Sequence, residues 1–383
     1  MLSSYRSAHI GFCVLISLAM FGCGQSSTKS QQSDTFQVTN LTNQPSESLD
    51  VRNVEHFRGP FLPLAYSKDI GVISATPVFP EGQRGMPTVS YKPQSVILER
   101  SMTYLPQPNP LADYGCAFVQ TDGNWITWMY LNNGLGQDDG ERLYAYNVAK
   151  KKTRLIWNTL DTHAQLFDVQ LNHGTLYYGL DQQESTKITR RVIADNLNSN
   201  VKKTVLSTSA TTNEVTLSNK TTIYDFHVSD DLIGVISAPF SQVYANPTDF
   251  PYQFNLYTLS GQLYRSVFQG TYPNQFDMAS DKGTWVWSSN QGGVYYYSEK
   301  DSRDHVYHIL NEASYVHISG NFIEMDTLDK PQEYLFNTKD RKYVQIPSRY
   351  KNFTICDGVI ALTTDNSLFP RNGYDLVKLP SSQ

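Results

Sequence analysis

From residue 51 onward the hydrophobic positions fall in short runs, some alternating with polar residues and some continuous. They are rich in Val, Ile, Tyr, Phe, Trp and Thr, and Gly, Asp, Asn and Ser bound them. A period of two marks a strand with one buried face. No long segment carries apolar residues at i, i+3, i+4 and i+7, as an amphipathic helix would. One unit recurs: an apolar strand, a tight Asp/Asn/Gly turn, then a strand heavy in aromatics. Its copies are FLPLAYSKDIGVISATP from Phe61, CAFVQTDGNWITWMY from Cys116, QLFDVQLNHGTLYYGL from Gln165, TIYDFHVSDDLIGVISAP from Thr222, NQFDMASDKGTWVWSS from Asn274, SYVHISGNFIEMDTL from Ser314 and NFTICDGVIALTTD from Asn352. The turns, near Ile70, Gly123, Gly174, Asp231, Gly283, Asn321 and Gly358, stand 37 to 57 residues apart.

A second hairpin follows the copies, as in ERLYAYNVAKKKTRLIWN, FNLYTLSGQLYRSVF, GVYYYSEKDSRDHVYHIL and EYLFNTKDRKYVQIP. Four strands per unit, a to d, at this period predict the blades of a β-propeller. One such sheet cannot bury both faces, whereas stacked blades can. The expectation is all-β, a seven-bladed propeller of four-stranded antiparallel blades over residues 51–383. The seventh unit has strands a (353–356), b (359–363) and c (374–379) but no d. Residues 51–57, VRNVEHF, could supply it and close the ring without an exposed edge; the alternative is an open last blade.

The N-terminus follows another pattern. Arg6 precedes an apolar run from Ile10 to Phe21, too short for a membrane span of roughly 20 residues. The run ends in Met20-Phe21-Gly22-Cys23, which resembles a bacterial lipobox. It departs from the usual pattern, which has Leu at the Met20 position and a small residue at Phe21. Residues 1–23 are thus expected to be a lipoprotein signal peptide with Cys23 lipidated, and 24–50 a disordered polar tether. The remaining Cys116 and Cys356 sit in apolar strand-like runs and read as small buried residues, a disulfide between them being the other possibility.

Composition narrows the partners. Asp and Glu (36) exceed Lys and Arg (31), so no nucleic acid is expected. Charged residues are 17%, below the usual quarter, and aromatics 13%, which excludes a disordered polyanion. The repeat period and strand grammar of 51–383 resemble those of bacterial β-propeller lipoproteins of TolB-like and other tandem-propeller kinds. The resemblance implies a fold and a membrane-anchored, extracytoplasmic address; it carries no catalytic motif.

Candidate chemistry sits at two places. Asp168, Asp225 and Asp277 each precede a turn by six residues, and Gln170 and His227 point the same way as the first two. An arc of these groups at the channel mouth could bind a cation or a polar ligand; each Asp could equally hold a neighbouring blade's backbone. The second place is the long b–c and d–a connections, predicted to share one rim. They include 76–88, 101–113, 131–141, 207–221, 239–252 and 270–275, with Tyr104, Tyr244, Phe250, Tyr252 and Tyr272 as partner-binding aromatics. His305 and His308, three apart in a strand, read as packing or surface residues. His163, His227 and His317 lie near strand a of three blades, an arrangement similar to the His ligands of polysaccharide lyases. Ser280-Asp281-Lys282-Gly283-Thr284-Trp285 is similar to an Asp-box but one residue short. The reading is a lipid-anchored binding or scaffold module, with an envelope protein or glycan as partner. No cofactor is assigned beyond that cation. The alternative is a glycan-active hydrolase or lyase acting at the channel mouth.

Overall fold

The computed structural model describes residues 36–383 except 59–61, 78–92, 102, 106–113, 133–140, 160–163, 212–213, 216–219, 242–249, 273–275, 290–292, 302–304, 312, 314, 327–332, 357, 365–372 and 380–383. The segment expected to be a leader and Cys23 lie outside the described residues, and so do Tyr244 and His163. Three strands come first: β1 (Gln37–Asn40), β2 (Ser46–Ser48) and β3 (Val54–Phe57). Blade 1 holds β4 (Leu62–Ser67), β5 (Gly71–Pro77), β6 (Pro93–Leu98) and β7 (Thr103–Tyr104). Blade 2 holds β8 (Tyr114–Thr121), β9 (Trp125–Asn132), β10 (Arg142–Asn147) and β11 (Lys152–Asn158). Blade 3 holds β12 (Gln165–Asn172), β13 (Thr175–Gln183), β14 (Lys187–Asn196) and β15 (Val201–Thr211). Blade 4 holds β16 (Thr221–Ser229), β17 (Leu232–Pro239), β18 (Phe250–Thr258) and β19 (Leu263–Tyr272). Blade 5 holds β20 (Phe276–Asp281), β21 (Thr284–Ser289), β22 (Gly293–Ser298) and β23 (His305–Leu310). Blade 6 holds β24 (Tyr315–Ser319), β25 (Phe322–Asp326), β26 (Glu333–Asn337) and β27 (Lys342–Gln345). Blade 7 holds β28 (Asn352–Cys356), β29 (Val359–Thr363) and β30 (Tyr374–Lys378), with β3 as its fourth strand.

The ring closes as the sequence suggests. β3 pairs antiparallel with β30, from Val54 opposite Val377 to Phe57 opposite Tyr374. The Phe57 and Tyr374 rings stack at 5.0 Å. The segment before it departs from the expected tether. β1 and β2 pair parallel with β23 and β27, so the chain runs along the outer edges of blades 5 and 6 before entering blade 7. Polar composition misled here, because an edge strand needs only its backbone to pair. Sparse apolar residues fix it: Leu41 is buried between blades 5 and 6, and Leu49 and Val51 pack between blades 6 and 7.

Among the described residues every interface between successive blades holds an apolar cluster, and a smaller one joins Ile188 and Ala210 of blade 3 to Val215 and Phe240. The five Trp residues of the chain all sit in these layers. Trp128 lies between blades 1 and 2, Trp125 and Trp157 between 2 and 3, and Trp285 and Trp287 between 4 and 5. Flat rings fill a gap that widens outward, and full burial of each large side chain contributes about 1.5–3 kcal/mol.

Strand direction sorts the connections. Each a–b link is a turn of two or three residues, whereas the b–c links include 78–92, 133–141 and 240–249. The a–b turns also lock neighbours. The N–H of Gly174 donates to Asp122 (2.6 Å), that of Gly283 to Ser229 (2.8 Å), that of Gly320 to Asp281 (2.6 Å) and that of Gly358 to Ser319 (2.5 Å). Between blades 3 and 4 the bond reverses, Asn172 Nδ2 donating to the Asp230 carbonyl at 2.8 Å. The last residue of strand a, or in blade 2 the residue just after it, therefore grips the next blade's turn.

Gly373 tests the closure. Its φ is +79°, and a Cβ there would lie 1.7 Å from the Phe57 carbonyl oxygen. Gly373→Ala should destabilise the protein by about 2 kcal/mol or more in denaturant melts. It should also speed amide exchange in 54–57 more than in β12–β14; equal protection in both would show that β3 does not close the ring.

Candidate functional site

In each complete blade strand a pairs only with strand b, leaving one edge toward the axis with unpaired N–H and C=O groups. Side chains of adjacent blades answer several of them. Leu171 N–H donates to Gln120 Oε1 at 2.7 Å, and Gln120 Nε2 donates to the Val169 carbonyl at 3.1 Å. Val316 N–H donates to Asp277 at 2.9 Å, Ile355 N–H to Glu324 at 2.9 Å, and Phe353 N–H to Glu333 at 3.3 Å.

One polar chain crosses four blades. The Leu171 contact fixes the orientation of the Gln120 amide, whose nitrogen also reaches Gln170 Oε1 at 3.3 Å. Gln170 Nε2 therefore faces both Asp168 oxygens at 3.2 Å and His227 Nε2 at 2.6 Å. An amide nitrogen donates only, so His227 Nε2 accepts. The ring proton then sits on Nδ1 and donates to Ser280 Oγ at 3.2 Å. Asp168, Gln170 and His227 are buried. In this tautomer the imidazole cannot take the Ser280 proton. His227 Nε2 and Asp168 Oδ2 lie 4.0 Å apart, with the Gln170 amide bonded to both.

The sequence-predicted groups are thus divided. Asp168, Gln170 and His227 are brought together, from β12 and β16. Asp225 accepts its neighbour's Phe226 N–H at 2.8 Å, and Asp277 serves blade 6. Of the three, Asp277 receives a neighbouring blade's backbone N–H, while Asp168 and Asp225 receive those of Val169 and Phe226 in their own strands. Among the described residues no group of three or more His, Cys, Asp or Glu is placed to hold a metal ion. Tyr104 is exposed on β7. Phe250 and Tyr272 are opposite one another in β18 and β19. Tyr252 is a correction: strand c starts at Phe250, so Tyr252 turns into the core with Phe254 and Leu256 and receives the Trp287 indole N–H at 3.1 Å. The Asp-box-like run is a turn whose Asp281 holds Gly320. His308 stacks on Tyr295 at 4.7 Å, and His305 faces Thr39 of β1. Cys356 is a buried thiol.

Gln120, Ser280 and the blade 6 carboxylates escaped the sequence reading. Burial pushes the Glu324 carboxyl well above its ordinary range, with the charges of Glu333 and Asp326 adding to it. Glu333, opposite Asp326, is pushed up to about 7, again chiefly by burial. The signal that could have found them is Glu and Asp alternating inside an apolar run, FIEMD, where solvent-facing charge is not expected.

No family model and no curated protein matches the chain. Solved structures match at the level of the fold. The acylaminoacyl peptidase of Pyrococcus horikoshii is 12% identical with a TM-score of 0.43, over 65% of this chain and 42% of that one. The β-propeller domain of the Trilobed protease from Pyrococcus furiosus is 9% identical, TM-score 0.36, over 69% and 92%. Kluyveromyces lactis Hsv2 is 11% identical, TM-score 0.38, over 80% and 90%. This chain therefore spans less than half the length of the first of these. By its own seven sheets, each a four-stranded antiparallel blade and two of them extended by a fifth outer strand, it is a seven-bladed β-propeller.

Both blade 6 carboxyls bind a proton more tightly folded than unfolded. Their stabilising contribution is full below the ordinary value of 4.5 and, for Glu333, is lost as pH rises through about 7. Melting temperature should therefore fall more steeply for the wild type than for Glu333→Gln between about pH 5 and about pH 8. Parallel profiles would mean that Glu333 titrates as it does in water.

Proposed function

We propose that the chain is a lipid-anchored, extracytoplasmic propeller that binds a partner, an envelope protein or glycan, on the rim bearing the b–c and d–a connections. What carries this reading is the use made of the inner carboxylates. Asp122, Asp277, Asp281, Glu324 and Glu333 all receive backbone N–H groups of the following blade. Groups committed to holding blades together make a stiff ring, and a stiff ring suits the display of long connections. The Cys23 anchor rests on the lipobox resemblance and puts the ring at a membrane surface.

The second reading, a glycan-active hydrolase or lyase, has one observation in its favour, the closeness of Asp168 and His227 at the axis. The Gln170 amide bonded to both opposes it, because it occupies the lone pair a base would use.

Three measurements decide. Cys23→Ala protein should move from the membrane fraction to the soluble extracytoplasmic fraction; retention at the membrane overturns the anchor. Affinity capture from detergent-solubilised membranes should lose its main partner when residues 242–249 are replaced by a short Gly-Ser link. Identical partners with and without that connection would place the docking surface elsewhere. Turnover of a polysaccharide that His227→Ala abolishes, in a variant that still folds, would favour the enzyme.

A further inference from the structure

At the end of the ring opposite the long connections, a cavity of about 260 Å³ opens between blades 2 and 3. The a–b and c–d turns of both blades line it, with Asn124 and Asn147 from blade 2 and His173 and Asn198 from blade 3. Asp122 sets its shape. One carboxylate oxygen receives the N–H groups of Asn124 (2.9 Å) and Trp125 (2.8 Å), and the other receives that of Gly174. The only carboxylate near the cavity among these turn residues is thereby engaged with backbone. Trp125, buried to 7% exposure in the layer between blades 2 and 3, borders the cavity, its indole N–H held by Asn198 Oδ1 at 3.2 Å. That bond leaves Asn198 Nδ2 over Gly174, where a Cβ would meet it at 2.8 Å. With φ at +72°, only glycine keeps both the turn and the space. Asn147 Oδ1 is taken by Lys150 N–H at 2.8 Å, leaving its Nδ2 as a donor. The Asn124 amide and the His173 imidazole make no side-chain hydrogen bond among the described residues, and both are exposed.

The lining thus offers N–H donors from Asn147 and Asn198 and groups that both donate and accept from Asn124 and His173, with no carboxylate free of backbone contacts among these turn residues. Sugar hydroxyl groups have the same double character and meet both kinds of partner. The volume falls below the roughly 300 Å³ at which sites for drug-sized ligands begin, so it takes one ring rather than an extended chain. We propose that this cavity binds a single neutral sugar ring, the terminal residue of a glycan. The site lies on the other end of the ring from the docking rim and stands or falls apart from it.

The test follows the Trp125 indole N–H by NMR in the folded propeller, its signal identified by loss in Trp125→Phe. Methyl glycosides of glucose, galactose and N-acetylglucosamine are titrated to tens of millimolar, since one ring with a few hydrogen bonds binds at about millimolar Kd. At least one should shift that signal saturably while Trp285 and Trp287, between blades 4 and 5, stay still. His173→Gly keeps the left-handed turn and removes the imidazole; with Asn198→Ala it should weaken binding about five- to tenfold each. A response to none of the three overturns the proposal. So does a shift produced by glucuronate or inorganic phosphate but by no neutral sugar, which would make Lys150 and Lys151 at the c–d turn the recognising groups. So does binding unchanged in both variants. Capture through the long connections is insensitive to these substitutions, so the two readings fail separately.

Discussion

Everything in this ring depends on how its innermost strands dispose of one unpaired edge. In an open sheet such an edge meets water or another chain. Here it faces a narrow axis already crowded by neighbouring strands. The protein answers with side chains of the preceding blade: an amide for Leu171 and Val169, carboxylates for Val316, Ile355 and Phe353. An orphaned buried N–H costs about 1–3 kcal/mol, so each contact matters more as a debt avoided than as an attraction gained. The same economy explains the a–b turns, where a short side chain at the end of one strand holds the next blade's glycine N–H.

This bonding gives the ring its direction. Each blade reaches forward to the next, so the polar contacts point one way around most of the axis. The apolar layers have no such direction. Trp285 and Trp287 pack between blades 4 and 5 as Trp128 does between 1 and 2, with geometry set by fit alone. The layers supply most of the stability, while the directed contacts fix how far each blade turns against the last. The outer strap adds a third element. β1 and β2 cover the outer edges of blades 5 and 6, which would otherwise invite pairing with other chains.

The site shows where sequence periodicity stops. The a–b turn of blade 2 is one residue longer than that of blade 3, and a bulge between Ala117 and Gln120 offsets it. Ala117, opposite Met129, therefore stands where Asp168 stands opposite Gly179, and Gln120, opposite Thr127, stands where Gln170 stands opposite Tyr177. Tyr252 was misplaced by a boundary: strand c begins at Phe250, and from there alternation turns Tyr252 inward. Asp168 and Asp277 were visible as polar residues in apolar strands, yet nothing in the pattern said which donors they would meet. Asp277 meets the Val316 N–H 39 residues further on, whereas Asp168 meets the Val169 N–H and the Gln170 amide beside it, an amide set in turn by Gln120.

The sequence by itself determined the blade count, the strand order within blades and the short turns. These follow from local rules, a period of two and turn residues, repeated often enough to average out error. It also suggested, from position alone, that residues 51–57 return to the end of the chain. The tertiary structure decided what the polar groups do. It fixed the tautomer of His227, turned blade 6 carboxylates into proton-binding contacts, and folded part of a polar tether into edge strands. Each of those outcomes depends on a partner that is distant along the chain and close in space, and a burial that only stacked blades create.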